Sequence, residues 1–369
     1  MTLFAPAPRR RSRSRTVGWA FVIGAVVLGL LASVLPSPYL IEVPGPVYNT
    51  IGTQEQGTGK DAERVKLIQV SGHETYPTGG ALDMLTVGIQ GDATNRPSWT
   101  SVVRAVFSPS QAVIPVEAVY PSGTTTEQVN ERDSADMRAS QQSAVAAALI
   151  QQGNDLPTQL EVGTVQEGSA ADGVIEEGDV VTAFDGTPLT VNADASSLRA
   201  LVAEHGTAKP ATVTVERDGA TKQIEVTPRS EQGTALLGVG VTERYDFPFK
   251  VSIRLQDVGG PSAGMMFALG IIDEITPGKL NGGKHVAGTG TITAQGEVGP
   301  IGGIRQKLHG AADAGATVFL APAENCDEVV GHVPDGLDVY SVTTLDQAVT
   351  DLQTIADGES TAGLARCDS

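Results

Sequence analysis

The chain has 369 residues, 40% apolar and 18% charged, enough for two domains of ordinary size and too many for one small core. Its formal charge is -18, yet the first fifteen residues carry Arg9, Arg10, Arg11, Arg13 and Arg15 and no acid, so beyond them 20 basic groups face 43 acidic ones. Such a body repels phosphate backbones, which argues against nucleic acid as a partner.

A basic tail, residues 1–16, precedes "VGWAFVIGAVVLGLLASVL", nineteen residues without a charge. At ~1.5 Å per residue this run spans roughly 28 Å, close to the ~30 Å of a bilayer core, so residues 17–37 are expected to form a transmembrane anchor held by the lipid bilayer. The arginines before it place the N-terminus in the cytoplasm and everything after it outside, at the cell membrane. A cleaved signal peptide is the alternative, but its apolar stretch is shorter, and no A-x-A site follows Ala32. Residues 38–60 read as a Pro- and Gly-rich connector with a short extended piece around Leu40 to Val43. "RVKLIQVSG" and "ALDMLTVGI" read as strands, and residues 134–151 as a helix that Ser134 can cap and "QGNDLP" stops.

Residues 154–230 have their own grammar. A strand over 160–165 is followed by "GVIEEGDVVTAFDGTPL", a strand pair turned through Asp185-Gly186. "ASSLRALVAEHG" is a helix ending at Gly206, and "ATVTVERDGATKQIEVTP" a hairpin through Asp218-Gly219. With its small-residue turn and a Gly-Asp entering a strand, "GSAADGVIEEGDVVTAFDGTPL" resembles the PDZ signature. The resemblance implies a module that takes a peptide as an added strand and so presents or gates substrate. "NDLPTQLEV" lacks the apolar-Gly-apolar triplet with which that family grips a carboxylate, so capture of a free C-terminus stays open. A spacer without ligand is the alternative.

After residue 231, "ALLGVGVTE" and "FKVSIRL" read as strands and "DVGGPSAG" as a loop opening a strongly apolar helix. A Gly/Thr-rich hairpin, the helix "IRQKLHGAADAGA", the buried strand "TVFLAP" and the amphipathic "LDQAVTDLQTIADG" follow, and residues 358–369 read as a loose tail. Ser262 admits two readings. Serine at a helix start is a common cap. Yet Gly259, Gly260 and Gly264 let a ligand approach, Pro261 stiffens the turn, and the backbone of Gly260, Pro261, Ser262 and Ala263 at the positive helix end suits an oxyanion.

A nucleophilic serine needs a base. Gly260, Ser262 and Gly264 also satisfy the G-x-S-x-G of an esterase elbow, for which Asp327 and His332 are the only tolerable acid–histidine pair, but the strand–helix alternation of that fold is missing. Lys307 is the other base, provided burial strips its proton, and an ordinary solvated lysine is the alternative.

Together, "GGPSAG", "GTGTITAQGEVGPIGGIRQKL" and "GATVFLAP" resemble the proteolytic domain of Lon proteases over about 110 residues. The resemblance implies Ser262 as nucleophile, Lys307 as general base and Thr289 as support for the lysine. Gly259 stands where that family often carries an acid, and Asp257, two residues earlier, has no evident role. An α+β fold is implied, with a two-segment catalytic domain (residues 61–153 and 231–357) around the inserted PDZ-like β-rich block. This arrangement is similar to the membrane-anchored, PDZ-containing Lon-like proteases of Gram-positive bacteria.

The expected activity is serine endopeptidase cleavage of extracytoplasmic proteins or peptides; a catalytically dead scaffold is the alternative. ATP is not expected, because "GKLNGGKH" has His285 where a phosphate loop needs Ser or Thr. Neither metal nor other cofactor is expected, since H-E-x-x-H is missing and His73, His205, His285, His309 and His332 fall in unrelated contexts. His309 is the one near enough to Lys307 in sequence to line the site. Cys326 and Cys367, the only cysteines, form no C-x-x-C, and the sequence leaves their pairing open. Assembly as a homo-oligomer has only family analogy behind it.

Overall fold

The computed structural model describes residues 13–56, 63–121, 123–231, 233–255 and 258–367, and the chain divides into two compact units. Most of the basic tail, residues 1–12, lies outside the described residues, as does Asp257.

The first unit comprises residues 1–44 and 87–129. Helix α1 (Arg13–Val34) leads into strand β1 (Tyr39–Asn49), and β2 (Ala81–Gln90) returns ahead of helix α2 (Trp99–Val106) and strand β3 (Ala112–Pro115). Among the described residues no helix is long and apolar enough to cross a membrane. The connector expected over 38–60 is largely a strand instead. Leu40 and Ile41 are fully buried and pair with Ile114 and Val113 of β3, and this apolar pairing outweighs the loop signal of Pro44, Gly45 and Pro46.

The second unit comprises residues 45–86 and 130–369. Helix α3 (Thr126–Gln151) runs into it and is longer than the expected 134–151. The Thr125 hydroxyl accepts from the Gln128 N–H while the Gln128 side chain accepts from the Thr125 N–H, a capping box nine residues upstream that leaves Ser134 inside the helix.

The inserted block has its own core. Strands β4 (Thr158–Val165) and β5 (Val180–Phe184), helix α4 (Ala195–His205), and strands β6 (Ala211–Arg217), β7 (Ala220–Val226) and β8 (Val239–Tyr245) form a sheet in the order β7-β6-β5-β4-β8 with α4 against it. Leu160, Val162, Val181, Phe184, Leu198, Val202, Val213 and Val215 fill it. Both hairpins turn where expected: Asp185-Gly186 and Asp218-Gly219 all have positive φ, as a two-residue turn between twisted strands requires. The block reaches past residue 230, because β8 pairs along the whole of β4 with Tyr245 opposite Thr158. Its two ends therefore lie side by side. Leu237-Gly238-Val239, read as catalytic strand, supplies beside α4 the apolar-Gly-apolar triplet that "NDLPTQLEV" lacks.

The remainder of the chain follows with helix α5 (Gly264–Ile275), strand β9 (His285–Gly288), helix α6 (Ile304–Ala314), strands β10 (Val318–Pro322) and β11 (Asp338–Val342), and helix α7 (Leu345–Ala356). β11, β10, β9 and β2 lie in that order, all parallel. Alternation on β10 explains why both faces are covered: Val318 and Leu320 join the cluster of α3, α5 and α7, while Phe319 and Ala321 join that of α6.

The tail expected to be loose is tied down. Cys326 and Cys367 form a disulfide with Cα atoms 4.8 Å apart. The Arg366 guanidinium lies 4.6 Å from the Tyr340 ring centroid and donates to Asp338 and to the Tyr340 hydroxyl.

Candidate active site

Ser262 is not a helix cap. Helix α5 starts at Gly264 with Ala263 in the cap position and no side chain bonded to its first turn. The Ser262 Oγ instead lies 2.8 Å from the Lys307 Nζ. The loop that presents it is held from three sides. The Gly260 N–H donates to the Asp133 carbonyl, the Ser140 hydroxyl donates to the Pro261 carbonyl, and the Gly290 N–H donates to the Ser262 carbonyl, each at 2.9 Å.

Gly260 and Gly264 are both sterically required here. Gly260 sits at φ +82°, which a side chain would resist. A Cβ on Gly264 would stand 2.7 Å from Ile292 Cγ2, so the hairpin closes on the helix start only because no side chain intervenes.

Lys307 lies on α6 in the stripe Ile304, Lys307, Leu308, Ala311, which is buried because it faces the sheet. It is 2% exposed, and among the described residues no carboxylate pairs with it. Burial alone pulls its ammonium down from 10.5 to about 7. Thr289, directly after β9 and 1% exposed, completes the arrangement. Its hydroxyl accepts from Lys307 at 2.9 Å and donates to the Ser262 carbonyl at 2.9 Å. A hydroxyl has one proton, and this one is committed to that carbonyl, so Thr289 can only accept from the lysine. A neutral amine that donates to Thr289 can then turn its lone pair toward Ser262.

The oxyanion assignment narrows. Pro261 has no N–H to offer, and that of Gly260 is spent on Asp133. The N–H groups of Ser262 and Ala263 have no acceptor among the described residues and adjoin the positive end of α5. Of the other sequence candidates, no hydrogen bond among the described residues joins His309 or His332 to Ser262 or Lys307, which removes the esterase arrangement. Among the described residues no three His, Cys, Asp or Glu side chains come together as ligands to a metal ion would. "GKLNGGKH" folds as a turn closed by buried Asn281, with Lys284 donating to the Ile355 carbonyl.

Asp133 and Ser140 escaped sequence reading, since only the tertiary fold brings α3 to the loop. A Cβ on Gly259 would lie 2.5 Å from Asp133 Cβ. Asp133 therefore packs directly against Gly259, and burial raises the pKa of its carboxyl.

Residues 256–354 match the Lon protease (S16) C-terminal proteolytic domain, and residues 132–227 match the PDZ domain. A stretch of 110 residues, 29% of this chain, is 39% identical to Lon protease 1 of Sorangium cellulosum and 33% identical to Lon protease 1 of Bacillus subtilis. It covers only 13% and 14% of those two proteins. The PDZ domain of an SdrC-like protein from Listeria innocua aligns at 15% identity over 22% of this chain and 92% of that one, with a TM-score of 0.21. The chain thus carries one stretch similar to the proteolytic domain of Lon proteases and another similar to a PDZ domain.

Proposed function

We propose that the protein is a membrane-anchored, ATP-independent serine endopeptidase that cleaves proteins outside the cytoplasm with the Ser262–Lys307 dyad. The observation that carries the chemistry is a buried lysine, free of carboxylates among the described residues, at 2.8 Å from a serine hydroxyl on a glycine-bounded loop.

Neutral Lys307 takes the Ser262 proton as Oγ bonds to the peptide carbonyl carbon, and the N–H groups of Ser262 and Ala263 hold the resulting oxyanion. Collapse breaks the C–N bond, and Lys307 returns the proton to the departing amine. Water, deprotonated by the same lysine, then hydrolyses the acyl-enzyme and restores Ser262.

Localisation is supported by the arginines ahead of α1, by the exposure of Trp19, Phe21, Ile23 and Leu30 along it, and by the disulfide, which persists in an oxidising compartment. ATP is scarce in such a compartment, so the dyad works there without a nucleotide. The insert offers a groove of about 570 Å³ between α4 (Ala195, Leu198, Arg199, Val202) and residues 235–241, a place for a substrate segment to add as a strand.

The test is cleavage of an unfolded protein by the membrane-reconstituted chain without nucleotide. The parent is expected to cleave, and Ser262→Ala and Lys307→Ala are not. Retained cleavage by Ser262→Ala, or an ATP requirement in the parent, would overturn the reading.

A further inference from the structure

Helix α2 has two apolar faces. Val102 and Ala105 are buried beside Ile41, with Tyr39, Val43 and Val113 packed around them. Trp99, Val103, Val106 and Phe107 point elsewhere, 39%, 55%, 65% and 84% exposed. Their spacing of i, i+4, i+7 and i+8 makes them one continuous stripe along the helix. Such a stripe is unusual in water and marks a surface that something covers.

Its place in the chain identifies the cover. Pro36 forms a bridge with Ser98, and the Ser37 N–H donates to the Pro97 carbonyl at 2.9 Å, so the start of α2 is pinned to the two residues that follow the apolar stretch of α1. Trp99 also packs edge-on against Tyr39, at 6.0 Å between ring centroids. The helices touch one another within the same compact unit. An aromatic and aliphatic stripe carried to the exit point of a membrane anchor is where tryptophan and short amphipathic helices meet lipid headgroups.

We propose that α2 lies in the bilayer interface on the outer side, with Trp99, Val103, Val106 and Phe107 inserted among the headgroups and upper acyl chains. The inference rests on the anchor reading of α1. A second copy of the chain is the weaker occupant, because the stripe exposes roughly half of the ~800 Å² per partner that a stable complex buries.

The chain contains only two tryptophans, Trp19 in α1 and Trp99 in α2, so each proposal has its own reporter. The full chain would be reconstituted in phosphatidylcholine vesicles with lipids brominated near the carbonyl end or near the methyl end of the acyl chain. In Trp19→Phe, Trp99 emission is expected to fall by about half with the shallow quencher and less with the deep one. Phe107→Asp in that background, a change at an exposed position, should weaken the quenching without unfolding the unit. If Trp99 is unquenched while Trp19 in Trp99→Phe is quenched, the anchor stands and the interfacial helix is overturned. If Trp19 is unquenched, the anchor falls, and quenching of Trp99 then decides α2 alone. Unquenched Trp99 whose emission blue-shifts as more chains are added per vesicle would overturn lipid in favour of a second copy.

Discussion

Replacing Lys307 with methionine should abolish cleavage and, at neutral pH, stabilise the fold. Burial holds the native ammonium at about 7, against 10.5 when the chain is unfolded and solvated. Between those values the unfolded chain binds a proton that the native one does not, so native stability rises with pH across the window and is lowest below it. At 1.36 kcal/mol per pH unit, this burial costs the parent about 4 kcal/mol at pH 7 and under about 1 kcal/mol at pH 10. Methionine has similar volume and no charge, but it leaves the Ser262 and Thr289 hydroxyls without their lysine partner, a loss of about 1–2 kcal/mol. Lys307→Met is therefore expected to be about 2–3 kcal/mol more stable at pH 7 and slightly less stable at pH 10. Urea unfolding of parent and variant at both pH values, followed by circular dichroism, measures the difference. A variant less stable at pH 7, or a difference that does not change with pH, would refute a buried neutral lysine.

The same group sets the pH dependence of catalysis. Only the neutral amine can take the serine proton, so kcat/KM should climb as pH rises through about 7, and a rate already flat from pH 5 upward would remove Lys307 as the base. Thr289→Val keeps the volume but deletes the acceptor that orients the lysine; kcat should drop roughly ten- to a hundredfold with KM little changed, and Thr289→Ser should recover most of it. Asp194 caps α4 through the Ser197 N–H and also accepts the Ala294 N–H from the hairpin after Thr289. Asp194→Ala is expected to cost about 1–2 kcal/mol in the urea midpoint, with Asp194→Asn losing less.

The contact between Ser262 and Lys307 was legible because each lies in a short contiguous stretch: "GGPSAG" must form a tight turn, and "PIGGIRQK" must start a helix with a lysine on its core face. The two Asp-Gly turns were legible for the same local reason. What sequence missed is non-local. Nothing near Asp133 or Ser140 announces that one supplies a carbonyl and the other a hydroxyl to a loop more than a hundred residues away. Of β1 only the piece around Leu40 to Val43 was legible, because Pro44, Gly45 and Pro46 mask its continuation to Asn49. β8 was placed in the catalytic segment because hydrophobic alternation marks a strand and is silent on its partner. The tail read as loose because polar composition gives no hint that Cys367 would find Cys326.

Tyr245 faces Thr158 where the inserted block begins and ends, which bears on how the segments flanking it hold together. An unstructured insertion of that length would charge the catalytic fold about 4 kcal/mol of closure entropy each time it folded. Strand pairing at the base reduces it to two neighbouring attachment points, about as far apart as adjacent strands. Once folded, the block acts on its host like a short hairpin, whatever its size. Such a graft can be lengthened in its far loops while the strands of its host keep their register, provided the bond from the Ala294 N–H to Asp194 is kept.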